Sequence, residues 1–110
     1  MNEIKDERYK EIIRQKASEF LERESSGDAL ITVTNIRTGD NNKNVTIFFT
    51  VYPNSKEHGV LDFAKRKRTE FRDLLKRESR LFKLPFIDFE IDLGEKNRQK
   101  IDSLSNIKYN

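Results

Sequence analysis

Apolar residues recur every three or four positions over residues 3–24, with charged residues between them. This spacing places the apolar side chains on one side of a helix, so the segment is predicted to be helical and amphipathic. Ser25, Ser26 and Gly27 follow, and glycine readily adopts the left-handed conformation that ends many helices. The first element is therefore predicted to be a helix with one buried face, formed by Tyr9, Ile12, Ile13, Ala17, Phe20 and Leu21.

Three later runs have the pattern of strands. Residues 30–37 and 45–51 are rich in β-branched side chains, and residues 38–43 between them have the composition of a turn. These runs predict an antiparallel hairpin with a long loop. Residues 86–92 follow Pro85 and alternate apolar with acidic side chains, which predicts a third strand. Because the alternation leaves one polar side, we expect helices to cover only one face of the sheet.

A second helix is predicted between the hairpin and the third strand. Asn54 and Glu57 have the spacing of a capping box, which marks its start. A helical pattern follows, but residues 65–70 contain no apolar side chain. An unbroken helix here would span about 33 Å and would include one turn with nothing to bury. We therefore predict a kink or break within residues 66–70, near Thr69.

The chain after the third strand is polar. We predict a tail over residues 93–110, with a short helix over residues 96–104 that uses Ile101 and Leu104. The preceding domain, residues 1–92, has the predicted order helix, strand, strand, kinked helix, strand. This order predicts an α+β fold with helices on one face of a three-stranded sheet.

Positive charge is concentrated on the second helix and the segment after it. Between Leu61 and Leu84 there are nine basic and four acidic residues, a net charge of +5, whereas the whole chain carries +3. A surplus confined to one element is typical of nucleic-acid binding. A well-solvated helix face gives the same pattern, so the charge alone leaves both interpretations open.

The sequence offers little support for enzyme chemistry. The absence of cysteine excludes disulfides, thiolate zinc sites and thiol catalysis. His58 falls in a predicted first turn without nearby partners, and the loop at residues 39–42 lacks the further ligands of a calcium site. Asp88, Glu90 and Asp92 would need another acid to hold a cation, so we expect them to form a solvated strand face. There is no phosphate-binding glycine loop, dinucleotide fingerprint or nucleophile elbow, and we expect no cofactor, no metal and no enzymatic activity.

No apolar run approaches the roughly 18 residues that a membrane span requires. The acidic start, Met1-Asn2-Glu3, is unlike a signal peptide. We therefore expect a cytoplasmic monomer that does not contact a membrane.

Two aromatic residues lie on the strand face that is predicted to be uncovered. Phe48 and Tyr52 are separated by four positions, so both side chains project from the same side of the second strand. Aromatic side chains in this position can stack on unpaired bases. Packing against the C-terminal tail is the alternative, and the sequence favours it slightly.

Three groups of spaced residues show a family likeness. Residues 30–36 read LITVTNI, and residues 45–51 read VTIFFTV. A third group runs from the basic helix into the last strand: Phe71-Arg72, Leu75, Arg80-Leu81, Lys83 and Pro85-Phe86-Ile87-Asp88-Phe89. In kind, order and spacing these residues resemble the ribosome-binding factor A family, bacterial factors that assist maturation of the small ribosomal subunit. The resemblance covers about residues 8–92.

The resemblance implies a KH-like domain of the type II arrangement, and a non-enzymatic protein that binds small-subunit ribosomal RNA. It also implies that basic side chains around the helix kink contact RNA phosphates. These candidate residues are Lys65, Arg66, Lys67, Arg68, Arg72, Lys76, Arg80 and Lys83. Where the family has Ala-x-Gly at the kink, this chain has Lys67-Arg68-Thr69, so the break is expected to form without glycine.

Two other functions remain open at this point. The basic face could bind an acidic protein partner. Alternatively, the protein could bind single-stranded nucleic acid in general, with Phe48 and Tyr52 stacking on the bases. For the ribosomal interpretation, we expect charge reversal at Arg68, Arg72 and Arg80 to abolish binding while leaving the fold intact, because exposed charges contribute little to folding.

Overall fold

The elements follow the predicted order, with the second helix divided as expected and the last helix longer than expected. A computed structural model describes residues 3–24, 27–39, 43–79, 81 and 83–108. Its helices are α1 (Glu3–Glu24), α2 (Glu57–Arg66), α3 (Arg68–Glu78) and α4 (Leu93–Lys108). Its strands are β1 (Leu30–Thr38), β2 (Asn44–Tyr52) and β3 (Phe86–Ile91), and a short 3₁₀ turn (Asn54–Lys56) precedes α2.

The sheet places β2 at its centre, in the order β1-β2-β3. β2 pairs antiparallel with β1, as the hairpin prediction requires, and parallel with β3. The parallel register sets Asn44 beside Phe86 and Phe49 beside Ile91. β1 and β3 are therefore the edge strands, and the α+β architecture predicted from the element order is confirmed.

The core lies between the helices and one face of the sheet. In β2, Val45, Ile47, Phe49 and Val51 are buried, which confirms the predicted alternation. The Phe71 ring of α3 lies 5.3 Å from the Phe20 ring of α1 and 5.7 Å from the Phe89 ring of β3, measured between centroids. These tilted aromatic contacts join two helices to the edge strand.

The predicted helix break is confirmed at Lys67, between α2 and α3. The Lys67 backbone has φ −98° and ψ 11°, a bridge conformation that residues other than glycine can adopt. Its N–H donates to the Phe63 carbonyl at 3.0 Å and to the Ala64 carbonyl at 3.2 Å. Because no positive φ is needed, the chain breaks this helix without the glycine of the family motif.

The start of α2 differs from the prediction. Asn54 lies in the 3₁₀ turn, and no side chain caps either that turn or α2. The Glu57 carboxylate instead lies 3.0 Å from the Lys96 ammonium of α4. The predicted capping box between Asn54 and Glu57 is therefore wrong, because a tertiary ion pair engages the glutamate.

The last helix also differs from the prediction, since it begins at Leu93 and extends through Lys108. Its start is stabilised by Asp92, whose Oδ1 accepts the Glu95 N–H at 3.0 Å. Asp92 and Glu95 have capping-box spacing, a sequence signal that would have placed the helix start correctly. Ile101 is 62% exposed, so it does not pack α4 onto the domain as expected, and the Leu104 side chain lies outside the described residues.

Gly27 has φ +86°, the left-handed conformation expected after the first helix. Within the part of the chain that the structure describes, no helix is long and apolar enough to cross a membrane.

Candidate functional site

The basic segment meets two acidic side chains of the edge strand β3. The Lys65 Nζ lies 3.0 Å from Asp88 Oδ1 and 2.9 Å from Glu90 Oε2. The Arg68 Nη1 lies 3.2 Å from the same Asp88 oxygen, and its Nε donates to the Lys65 carbonyl at 2.9 Å. Asp88 and Glu90 are therefore more than a solvated strand face, because together they hold the two sides of the helix break.

The charges of this cluster shift each other's protonation equilibria. Burial favours neutral forms of both Lys65 and Asp88, but their mutual hydrogen bond and charge outweigh it. The pKa of Lys65 is raised with the help of Glu90, and the pKa of Asp88 is lowered with the help of the Phe89 N–H and Arg68. Both shifts favour the charged forms of Lys65 and Asp88, and so favour the ion pair between them.

Arg66 and Lys67 have carboxylate partners three or four residues away in the chain. The Arg66 side chain is 65% exposed, and its Nε lies 3.5 Å from Asp62 one turn earlier. The Lys67 ammonium lies 3.1 Å from Glu70. Both carboxylates are exposed, and such ion pairs are worth little in water, so both cations can exchange a carboxylate for a phosphate at small cost.

Arg72 is half-buried and acts within the fold. Its Nε donates to the Pro85 carbonyl at 2.9 Å, and its Nη2 donates to the Leu84 carbonyl at 3.3 Å. The guanidinium also lies over the Phe86 ring, 5.5 Å from its centroid. Arg72 thus fixes the segment that leads into β3. The expectation that charge reversal at Arg72 leaves the fold intact is therefore revised, because reversal would leave two carbonyls without their donor.

The remaining candidates lie on the C-terminal half of the basic segment. Lys76 and Lys83 are exposed, and Arg80 lies outside the described residues. Arg77, a member of the same basic run that the sequence-based candidates omit, lines a groove of about 180 Å³ between α1 and α3. Arg23, Glu70 and Asp73 line the same groove, so its charge is mixed. Membership of the basic run was the sequence signal for Arg77, but only the fold shows which acids surround it.

The uncovered face of the sheet carries a second groove, with a volume of about 260 Å³. Its lining includes Phe48 of β2, Arg37 of β1 and the start of α4 at Leu93. The Arg37 guanidinium lies 4.8 Å from the centroid of the half-buried Phe48 ring, whereas Tyr52 is 72% exposed. Phe48 and Tyr52 thus share a face but not a site, and base stacking by either residue stays a prediction.

No group of three or more histidine, cysteine or acidic residues within the described ranges could hold a metal ion. Asp92 is the third acidic residue of the alternating pattern over residues 86–92, and its role differs from that of Asp88 and Glu90. Its Oδ2 accepts a hydrogen bond from the Thr34 hydroxyl at 2.6 Å while its Oδ1 caps α4. These bonds, that of Thr34 first, lower the pKa of Asp92.

Comparison with known families identifies the domain. The family model for ribosome-binding factor A matches residues 5–105, which include all three strands and the helix break. The chain belongs to the ribosome-binding factor A family. This confirms the resemblance in the spaced motifs and extends it beyond residue 92 into α4. The family is one of non-catalytic ribosome-binding factors, and its fold is KH-like.

Solved structures support the fold assignment. The crystal structure of ribosome-binding factor A from Thermus thermophilus is similar at a TM-score of 0.66 and 18% identity, over 76% of this chain and 91% of that one. The solution NMR structure of a Thermotoga maritima protein, proposed to be a ribosome binding factor A, is similar at a TM-score of 0.60 and 16% identity. That match covers 74% of this chain and 81% of the other. A search of curated protein sequences finds no significant match.

Proposed function

We propose that this protein binds small-subunit ribosomal RNA in the cytoplasm and assists late maturation of the small ribosomal subunit, including processing of its RNA. The observation that carries the proposal is the family match over residues 5–105. The basic surplus of α2, α3 and the segment before β3 supports it, since phosphate contacts supply most non-specific affinity for nucleic acid.

The eight candidate cations have different parts in this proposal. Arg66, Lys76 and Lys83 are exposed and reach phosphates directly. Lys67 replaces its ion pair with Glu70 by a contact with an RNA phosphate. Lys65 and Arg68 stabilise the helix break through their ion pairs with β3, and their remaining positive charge attracts phosphates beside it. The Arg72 hydrogen bonds position the segment before β3, and Arg80 adds a further phosphate contact.

Selectivity for the small subunit then comes from the shape of the folded RNA. Phosphate contacts position a protein without reading sequence, and double-stranded RNA is recognised largely by its backbone geometry. The break at Lys67 divides the basic segment between α2 and α3. The cations before and after it therefore lie on two separate helix segments.

Sedimentation of cell extract on a sucrose gradient tests the proposal. We expect the protein to travel with free small subunits and to be largely missing from full ribosomes. Deletion of the gene should lower the yield of mature small subunits and leave precursor ends on their RNA, most visibly in the cold. A protein that stays at the top of the gradient, or a deletion strain with a normal cold profile, would contradict it.

An acidic protein partner is distinguished by a competition experiment. Titration with a purified small-subunit RNA fragment is compared with titration by polyglutamate and by duplex DNA of equal charge. The proposal predicts that the RNA fragment binds most tightly at every salt concentration. Equal affinity for polyglutamate would favour the interaction-module alternative.

A further inference from the structure

The first residue of β3 exposes a large aromatic ring. Phe86 is 70% exposed, whereas its neighbour Ile87 is buried in the core. Because side chains alternate along a strand, Phe86 projects from the uncovered face of the sheet, at the start of an edge strand. The ring is therefore accessible to an outside partner.

One cation lies over this ring, and three lysines lie near it in sequence or in strand register. The Arg72 guanidinium lies 5.5 Å from its centroid, and the carbonyl of Lys43 accepts the Phe86 N–H at 2.9 Å. Lys83 lies three residues before Phe86 in the chain, and Lys76 lies one helical turn beyond Arg72. The side chains of Lys43, Lys76 and Lys83 are exposed.

These cations differ from those at the helix break. Lys65, Arg66, Lys67 and Arg68 all lie within 4 Å of a carboxylate. Within the described residues, Lys43, Arg72, Lys76 and Lys83 form no such pair. The nearest acid along β3 on the same face, Asp88, is held by Lys65 and Arg68. Arg72 is engaged by the Leu84 and Pro85 carbonyls, but the charges of Lys43, Lys76 and Lys83 stay available for an outside anion.

A hydrogen-bonding group lies beside the ring. Asn44 is opposite Phe86 in the parallel register, is exposed, and projects from the same face of the sheet. An asparagine amide offers two donors and an acceptor, which suits the edge of a nucleotide base. Ring, amide and cations together provide a stacking surface, a base-edge contact and phosphate contacts.

We propose that this edge of the sheet binds one unpaired nucleotide of single-stranded RNA. The base stacks on Phe86, Asn44 contacts the base edge, and Lys43 and Lys83 contact the adjoining phosphates. The assignment deepens the proposed function, on which it rests for its RNA ligand. It adds a site for an unpaired base to a surface that otherwise contacts phosphates.

The test is the affinity of Phe86→Ala for an oligouridylate of about ten nucleotides, measured by fluorescence anisotropy at fixed salt. Loss of one base stack should weaken binding by about 5- to 150-fold. Phe86→Trp should retain the affinity, because tryptophan also stacks. Tyr52→Ala is the matched control, since Tyr52 is equally exposed on the same face, about 26 Å along β2 from the Phe86 end. It should bind as the wild type does.

Two further measurements separate the possible outcomes. A blunt RNA duplex, whose bases are already stacked, should bind wild type and Phe86→Ala equally. Thermal unfolding should be similar for wild type and Phe86→Ala, because the ring is exposed. If Phe86→Ala unfolds, Phe86→Leu carries the test, because leucine keeps the apolar bulk but has no ring to stack, and it should show the same loss of affinity. Oligouridylate binding that is unchanged in Phe86→Ala, or an equal loss in Tyr52→Ala, overturns the nucleotide site.

Failure of this site and failure of the proposed function give different results. If Phe86→Ala binds oligouridylate normally while the wild type still travels with small subunits, only the nucleotide site is lost. If the wild type binds oligouridylate through Phe86 but does not travel with small subunits, the site stands and the ribosomal function is lost.

Discussion

The Lys65 ammonium of α2 lies 3.0 Å from the Asp88 carboxylate of β3. The contact joins a residue just before the helix break to the edge strand of the sheet, and Glu90 completes it from two positions further along. One cation of the basic segment is therefore already neutralised by the fold. This arrangement separates cations that shape the break from cations that are available to RNA.

Glu90→Gln should strengthen RNA binding, because Lys65 would then have one carboxylate partner instead of two. We expect the slope of log affinity against log salt for a small-subunit RNA fragment to steepen by up to about one unit. Glu7→Gln, an equal charge change at an exposed position of α1, is the control and should alter the slope less. The same slope in both variants would show that Glu90 has no special influence on Lys65.

Arg72→Glu should destabilise the protein by about 1–3 kcal/mol, because the Pro85 and Leu84 carbonyls would lose a charged donor. Lys76→Glu, one turn away and exposed, should change the free energy of unfolding by no more than about 0.5 kcal/mol. Urea denaturation of both variants measures the difference. Equal stability of the two would mean that the Arg72 hydrogen bonds contribute nothing net.

Asp92 should make stability depend on acid pH. Its folded pKa is lowered, so its contribution is fully present above the unfolded pKa of about 4 and is lost as the pH falls through the folded pKa. Asp92→Asn should therefore cost more stability at pH 7 than near pH 3. Denaturation at both pH values checks this, with Asp62→Asn as the control. A pH-independent difference between wild type and Asp92→Asn would contradict the prediction.

Neutralising Arg66, Lys76 and Lys83 together with glutamine should weaken binding to small subunits without unfolding the protein. Loss of three phosphate contacts should reduce the salt slope by about 2–3 units. The control neutralises three exposed cations elsewhere, Arg8, Lys56 and Lys100. If both triple variants bind equally, net charge rather than this surface governs the interaction.

Periodicity alone was sufficient for the positions of most elements. The three- and four-residue spacing in α1 and the alternation in β2 place the apolar side chains on one face of each element. Burial of that face is the main source of stability in so small a domain. The break at Lys67 was predictable for the same reason, since a turn without apolar side chains has nothing to hold it on the sheet. The family likeness was also readable, because it depends on the order and spacing of residues.

The roles of the charged residues depended on the tertiary structure. In sequence, Lys65 and Arg72 belong to the same basic segment, but the fold pairs Lys65 with carboxylates and Arg72 with carbonyls. Ion pairs and hydrogen bonds act over about 3 Å between residues distant in the chain, and no local pattern records which residues meet. The sequence thus determined where positive charge is concentrated, whereas chain packing decided which cations remain available to a partner.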